Sequence, residues 1–75
     1  MNNARRKQIS DLISKIEDLK SELETIKDEE QEYIDNVPEN LQGSERFQNA
    51  EEAISELENA EANFEDLISN LENIS

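Results

Sequence analysis

The sequence contains no cysteine, no histidine and no tryptophan, and only one glycine, one proline and three aromatic residues in 75. Without cysteine it has neither disulfides nor thiol chemistry. Its apolar fraction of 33% allows only a thin core, and chains of this size usually need disulfides, metals or oligomerisation for stability. Self-association therefore remains as a source of additional stability for this chain.

Basic residues are also scarce, with seven Lys and Arg against twenty Asp and Glu and a net charge of −13. This balance argues against direct binding to nucleic acid or to an anionic membrane. No apolar run approaches the roughly 20 residues of a membrane span, and the start, MNNARRKQIS, lacks the apolar region of a secretory signal. We therefore expect a cytoplasmic protein.

The carboxylates do not come with the residues that would make them a catalytic or metal site. Di-metal helical bundles combine Glu with Glu-x-x-His pairs, and the chain has no histidine. The D-x-[DN]-x-[DN]-G spacing of a calcium loop is not found around Gly43. We expect no enzyme activity, no cofactor and no bound metal.

What the chain does have is helical periodicity. In the first half, apolar residues recur at alternating steps of three and four over about four heptads, with Glu30 in the one gap. Ile9 then takes heptad position a and Leu12 position d, while Ile13 and Ile34 take e. The full a and d series is Ile9, Leu12, Ile16, Leu19, Leu23, Ile26, Tyr33 and Val37.

The second half repeats itself in blocks of seven, EEAISEL, ENAEANF, EDLISNL and ENIS, beginning at Glu51. Position a holds Phe47, Ile54, Glu61 and Ile68, position d holds Ala50, Leu57, Phe64 and Leu71, and position g holds Ala53, Ala60, Leu67 and Ile74. The pattern predicts two helices, over about residues 4–36 and 45–74.

The segment DNVPENLQGSER lies between the two helices, and we interpret residues 37–44 as a structural turn. A residue before proline is pushed out of the α region, so the first helix should end before Pro38. Val37 and Leu41 should plug the end of the helix contact, and PENLQ should form a short helical turn. Gly43 permits a positive φ, and Ser44 is a natural N-cap.

A short connection predicts an all-α antiparallel two-helix coiled-coil hairpin in a single domain. The register that we propose stacks Tyr33 on Phe47, Ile26 on Ile54 and Leu12 on Ile68; a slip by one heptad is its main rival. It also places Lys20 and Lys27 beside Glu58 and Glu65. Opposite charges would then flank the contact between the helices, as specific pairing requires.

Two helices cannot cover all of this apolar surface. Ile13 widens the first helix, and Leu67 and Ile74 widen the second, all toward the chain termini. Exposed apolar area of this kind marks interaction sites. We expect self-association through these residues into a homodimeric four-helix bundle, with the basic residues 5–7 of one chain near acidic residues of the other.

Two glutamates occupy heptad position a, and two interpretations of them stay open. Glu30 and Glu61 can pack their stems and keep their carboxylates in water, with Lys20 near Glu61. Alternatively, they specify register or oligomeric state at a cost in stability.

Acidic residues concentrate near the turn, where residues 28–45 carry seven and no basic residue. The acidic partner surface that we predict there consists of Asp28, Glu29, Glu32, Asp35 and Glu39. It is either a solvated helical face or a surface that attracts a basic cleft in place of nucleic acid.

The aromatic residue before DNVPENLQGSER, together with the EEAI…LE blocks that follow, resembles small acidic proteins encoded by phages and mobile elements of Gram-positive bacteria. The likeness covers residues 28–75. It implies a setting in which small acidic proteins act as inhibitors of host enzymes, and it brings no known activity and no catalytic residue. We expect a non-enzymatic interaction module; the alternative is an acidic nucleic-acid mimic that inhibits a basic DNA- or RNA-binding host protein.

Overall fold

The computed structural model describes residues 1–74 and consists of two long helices that pack against each other. Helix α1 spans Asn3–Asp35, a short 3-10 helix spans Glu39–Leu41, and helix α2 spans Glu45–Ile74. No strand occurs in the described residues. The all-α helical hairpin is confirmed. Helix α1 begins and ends one residue earlier than predicted, and α2 has the predicted bounds.

Both helices begin with a side-chain cap. The Asn2 side chain accepts a hydrogen bond from the Arg5 backbone N at 2.8 Å, and Ser44 Oγ accepts one from the Phe47 N at 3.2 Å. Such caps satisfy backbone N–H groups that lack a partner in the first turn. The cap at Ser44 confirms the prediction made from the sequence.

The turn reverses the chain with ordinary backbone conformations. The Leu41 N donates to the Pro38 carbonyl at 2.9 Å, and the Ser44 N donates to the Leu41 carbonyl at 3.1 Å. No residue of the described chain, Gly43 included, has a positive φ, so the turn does not use the conformational freedom that Gly43 permits. The 3-10 helix already supplies the change of direction. Val37 is half-buried, but Leu41 is 52% exposed and does not close the end of the hairpin as predicted.

The hairpin is a thin rod. Its extents are 60 × 15 × 12 Å and its radius of gyration is 17.3 Å, against about 11 Å for a compact chain of this length. Only Ile16, Ala50 and Ile54 are buried among residues 1–74. A single layer of side chains between two helices therefore forms the whole core.

The contact between the helices uses the predicted positions of α2, whereas in α1 it uses the predicted position a but not position d. In α2 the a and d residues are buried or half-buried. In α1 the d residues are exposed: Leu12 46%, Leu19 51%, Ile26 55% and Tyr33 41%. Position e is half-buried instead, at Ile13, Lys20, Lys27 and Ile34.

Helix α1 is therefore rotated about its axis, so that positions a and e face α2. The predicted layers that placed Leu12, Ile26 and Tyr33 in the core are wrong. The physical reason lies at position e, where two isoleucines gain burial and two lysines reach carboxylates of α2. A straight helix also drifts by about 20° per heptad from a strict a and d stripe.

Candidate protein-interaction face

The rotation of α1 leaves a stripe of large apolar side chains on the outside of the hairpin. Its four members are seven residues apart, so they follow one line along the helix. Helix α2 contributes a second stripe at position g, which is partly or fully exposed, with Leu67 at 42% and Ile74 at 46%. We call the two stripes together the apolar face: Leu12, Leu19, Ile26, Tyr33, Ala53, Ala60, Leu67 and Ile74.

Two clefts show that both stripes lie on the same side of the hairpin. One cleft is lined by Glu30 and Tyr33 from α1 and by Ala50 and Ala53 from α2. Tyr33 and Ala53 belong to the two stripes and border this one cleft, which places the stripes side by side. A different cleft is lined by charged residues of both helices, including Glu17, Lys20, Glu65 and Glu72. The charged side therefore lies opposite the apolar face.

Apart from Arg46, which lines the same cleft as Tyr33 and Ala53, the border of the apolar face on α2 carries little charge. Position c beside the stripe holds three asparagines and one glutamate, all exposed: Asn49, Glu56, Asn63 and Asn70. Position e on the other side holds only glutamates: Glu51, Glu58, Glu65 and Glu72. In a chain with a net charge of −13, depletion of charge along one side is the composition expected of an interface core.

Ion pairs cross the opposite side of the hairpin. Lys27 Nζ lies 2.6 Å from Glu61 Oε1, and Lys20 Nζ lies 3.1 Å from Glu65 Oε1 and 3.8 Å from Glu24 Oε1. The Glu61 side chain is only 18% exposed and its Oε1 is buried. The short charge-assisted contact with Lys27 is what compensates the burial of this oxygen.

These contacts shift the titration of both lysines. The hydrogen bond to Glu65 raises the pKa of Lys20 above its ordinary value of 10.5, and the hydrogen bond to Glu61 does the same for the pKa of Lys27; partial burial opposes both shifts. A bond to the charged form favours that form. Both lysines therefore stay protonated at neutral pH and hold the two helices together on this side.

The predicted pairing of these lysines is partly wrong. Lys20 does contact Glu65, but Lys27 contacts Glu61, and Glu58 raises the pKa of Lys27 only through its charge. The cation beside Glu61 is thus Lys27 and not Lys20. The change follows from the rotation of α1, which turns its e position toward position a of α2. Glu30 is half-buried at the edge of the cleft that also contains Tyr33.

The predicted self-association residues separate into two groups. Leu67 and Ile74 lie in the apolar face, whereas Ile13 is half-buried on the α2 side of α1 and belongs to the hairpin contact. Sequence reasoning missed Leu12, Leu19, Ile26 and Tyr33 as surface residues. The available signal was the pair of isoleucines at e, which makes the apolar stripe of α1 wider than one partner helix can cover.

The predicted acidic partner surface is exposed along the outer side of α1 and on the 3-10 helix: Asp28, Glu29, Glu32, Asp35 and Glu39. Gln31 Nε2 donates a hydrogen bond to Asp35 Oδ1 at 3.0 Å. Within residues 1–74 none of these five carboxylates forms an ion pair with a lysine or arginine.

The turn itself borders a pocket. Its lining includes Tyr33, Val37, Pro38, Leu41 and Arg46. Four of the five predicted turn residues line it, and Gly43 does not: Val37, Pro38, Leu41 and Ser44. The pocket is continuous with the apolar face through Tyr33, which lines both it and the neighbouring cleft.

In the described part of the chain, no group of three or more potential ligands is placed to hold a metal ion. Neither of the helices within residues 1–74 is long and apolar enough to cross a membrane. No family model matches the chain, and comparisons with curated proteins and with solved structures found no similar protein. The resemblance to small acidic phage and mobile-element proteins stays a prediction.

Proposed function

We propose that this chain is a non-enzymatic protein-protein interaction module, and that its apolar face pairs with a second copy to form a four-helix bundle. One observation carries the proposal: all four d residues of α1 are between 41% and 55% exposed, in one line along the rod. Scattered exposed apolar residues are normal, but a contiguous apolar patch bordered by polar residues marks an interaction site.

The size of the face suits a stable dimer. The hairpin is 60 Å long and 15 Å wide, so its broad side covers about 900 Å² in projection, close to the roughly 800 Å² that each partner contributes to a standard interface. Pairing would also add a second layer of burial to a molecule whose core has only three buried residues among those described. The interface area and the added burial both favour a partner that covers the full length of the rod.

A second copy fits this requirement because it offers a face of the same length and the same spacing of seven residues. Two such faces pack as knobs into holes in a four-helix bundle. The near-neutral border at Asn49, Asn63 and Asn70 limits the repulsion that two acidic chains would otherwise feel at close range.

The experiment compares Leu19→Gln and Ile26→Gln with the control Ser14→Gln on the exposed outer side of α1. Glutamine keeps a helix propensity close to that of leucine, so the comparison isolates the loss of apolar contact. We expect the wild type and the control to be dimeric and both face variants to shift to the 8.7 kDa monomer. A monomeric wild type, or face variants that dimerise as tightly as the control, would contradict the proposal.

The second candidate is an acidic inhibitor that occupies the nucleic-acid site of a basic host protein. The observation in its favour is the set of five exposed carboxylates near the turn, none of them in an ion pair within the described residues. Its test is capture of a basic nucleic-acid-binding protein that weakens steeply with salt and is lost in a Glu29→Gln/Glu32→Gln/Asp35→Asn variant. Capture that persists in this variant would rule out the acidic surface as the contact.

A further inference from the structure

We infer that the two copies pair antiparallel, so that the turn of one hairpin lies over the termini of its partner and α1 packs against the partner's α1. This inference rests on the proposed dimer and adds its orientation. Three independent features of the apolar face support it: the spacing of its large residues, the gradient of side-chain size along α2, and the distribution of charge between the two ends of the rod.

The d residues of α1 are arranged symmetrically about a point midway between Leu19 and Ile26. An antiparallel pairing about this point places Leu19 opposite the partner's Ile26 and Leu12 opposite the partner's Tyr33. Every large exposed residue of the stripe then meets another large residue. The α1 helices keep a constant separation along their length, as packed straight helices require.

Side-chain size changes along the α2 stripe, from Ala53 and Ala60 near the turn to Leu67 and Ile74 near the terminus. The same two-fold axis lies level with the point midway between Ala60 and Leu67, so antiparallel pairing places Leu67 opposite the partner's Ala60 and Ile74 opposite the partner's Ala53. Large residues then meet small ones, as good core packing requires. In a parallel pair, α1 would face the partner's α2. Leu19 would then meet the partner's Leu67, and Tyr33 would meet the partner's Ala53. The helices would be forced apart at one end and drawn together at the other.

Charge favours the same orientation. The half of the rod next to the turn, residues 23–60, has twelve acidic and two basic side chains and a net charge of −10. The other half has eight acidic and five basic side chains and a net charge of −3. A parallel dimer would place both −10 halves side by side, whereas an antiparallel dimer places each beside a −3 half, with less repulsion.

Individual flanking residues follow this pattern, with one exception. Position g of α1 borders the d stripe, and antiparallel pairing brings Lys15 beside the partner's Glu29. The exception is Glu22, which lies near the two-fold axis and meets the partner's Glu22. In a parallel pair Glu22 would instead face the nearly neutral border of the partner's α2. The repulsion at Glu22 is thus specific to the antiparallel arrangement.

The orientation is measured as the distance between spin labels on Gly43→Cys. The chain has no other cysteine, and a Cβ at Gly43 meets nothing within 4 Å, so the label leaves the turn intact. The antiparallel dimer places the labels at opposite ends, at a separation close to the 60 Å length of the rod. A parallel dimer places them within roughly 20 Å of each other, because packed helices are about 8–10 Å apart.

Dilution with unlabelled protein confirms that the distance is intermolecular, and the mass of the labelled sample is measured alongside it. A dimeric mass with the short distance overturns the orientation and leaves the proposed function standing. A monomeric mass overturns the proposed function, and the orientation with it. A dimeric mass with the long distance supports both.

A second variant tests the orientation without a label. Glu22→Gln removes the one like-charged contact at the two-fold axis, so we expect it to lower the dissociation constant of the dimer. The decrease should be several-fold larger than in Glu52→Gln, an exposed control that removes the same charge on the outer side of α2. Equal effects of the two substitutions would contradict the antiparallel arrangement, because both would then report only the change in net charge.

Discussion

Glu61 shows how a single charged residue is accommodated inside a thin helical contact. Its side chain is only 18% exposed, and its buried Oε1 depends on Lys27 Nζ at 2.6 Å. Removing one partner of such a pair leaves an uncompensated charge, which costs more than the pair itself contributes. We therefore expect the pair to specify which residues of the two helices lie together, in addition to any effect on stability.

The first prediction concerns the two lysines at position e. Lys27→Met should lower the free energy of unfolding more than Lys20→Met, because Glu61 is 18% exposed whereas Glu65 is 65% exposed and keeps its hydration. Urea unfolding followed by circular dichroism measures both. The double variant Lys27→Met/Glu61→Leu should recover the stability lost in Lys27→Met. Equal losses in the two single variants would contradict the assigned partners.

The second prediction concerns alkaline pH. The folded-state pKa values of Lys20 and Lys27 are raised above 10.5, so their contribution to stability is fully present below pH 10.5 and is lost as the pH rises through the raised values. The wild type should therefore lose stability in thermal unfolding above this pH. Arginine stays protonated there, so Lys20→Arg/Lys27→Arg is the matched control. The same loss in the control would show that other groups are responsible.

The third prediction concerns the only glycine. Gly43 has no positive φ, and a Cβ there meets nothing within 4 Å. Gly43→Ala should stabilise the hairpin by about 0.4–1 kcal/mol, because alanine reduces the conformational entropy of the unfolded chain without strain in the folded one. Urea unfolding with Gln42→Ala as a control for the exposed turn measures the difference. A destabilised Gly43→Ala would mean that this residue does need a glycine-only conformation.

Among the helices, α1 is the one with two apolar sides. Positions a and e face α2, while position d points outward with side chains 41–55% exposed. A helix whose apolar stripe is wider than one partner can cover is typical of a buried position in a larger bundle. Helix α2 has a similar but smaller set of uncovered apolar residues at position g. The two uncovered apolar stripes lie on one side of the hairpin, which is why they form a single face.

The fourth prediction tests the hairpin contact itself. Ile54 is 8% exposed, and Ile54→Ala should lower the free energy of unfolding by about 2–4 kcal/mol through lost burial and a residual cavity. The adjacent exposed residue provides the control, since Ser55→Ala should change stability by less than about 0.5 kcal/mol. Helicity and urea unfolding measure both. A small effect of Ile54→Ala would show that α2 does not use this side in the core.

The heptad pattern predicted the two helices. Local signals such as Ser44 and Val37–Pro38 predicted the cap of α2 and the helix ends to within one residue, because they act over a few residues. It also identified the contact positions of α2. It did not predict which side of α1 faces α2, because a, d and e of α1 are all largely apolar or long-chained. The choice between d and e depends on Lys20 and Lys27 reaching specific carboxylates, which is information that lies in the other helix.

For the whole molecule, association depends on the balance between charge repulsion and the burial of apolar surface. The net charge of −13 makes separate chains repel each other. The small core, with three buried residues among those described, and the exposed apolar face favour association. Salt screens the repulsion and leaves the apolar contact intact. The dimer should therefore tighten as salt rises, whereas a complex between the acidic surface and a basic protein should weaken.

The fifth prediction is also the most direct test of the central claim that the apolar face pairs two copies. Sedimentation equilibrium of the wild type, from low to high micromolar concentration and at low and high salt, gives the mass in solution. We predict a concentration-dependent rise to twice the 8.7 kDa mass of the chain, at a lower concentration in high salt. A mass of 8.7 kDa at every concentration and salt level would contradict the claim.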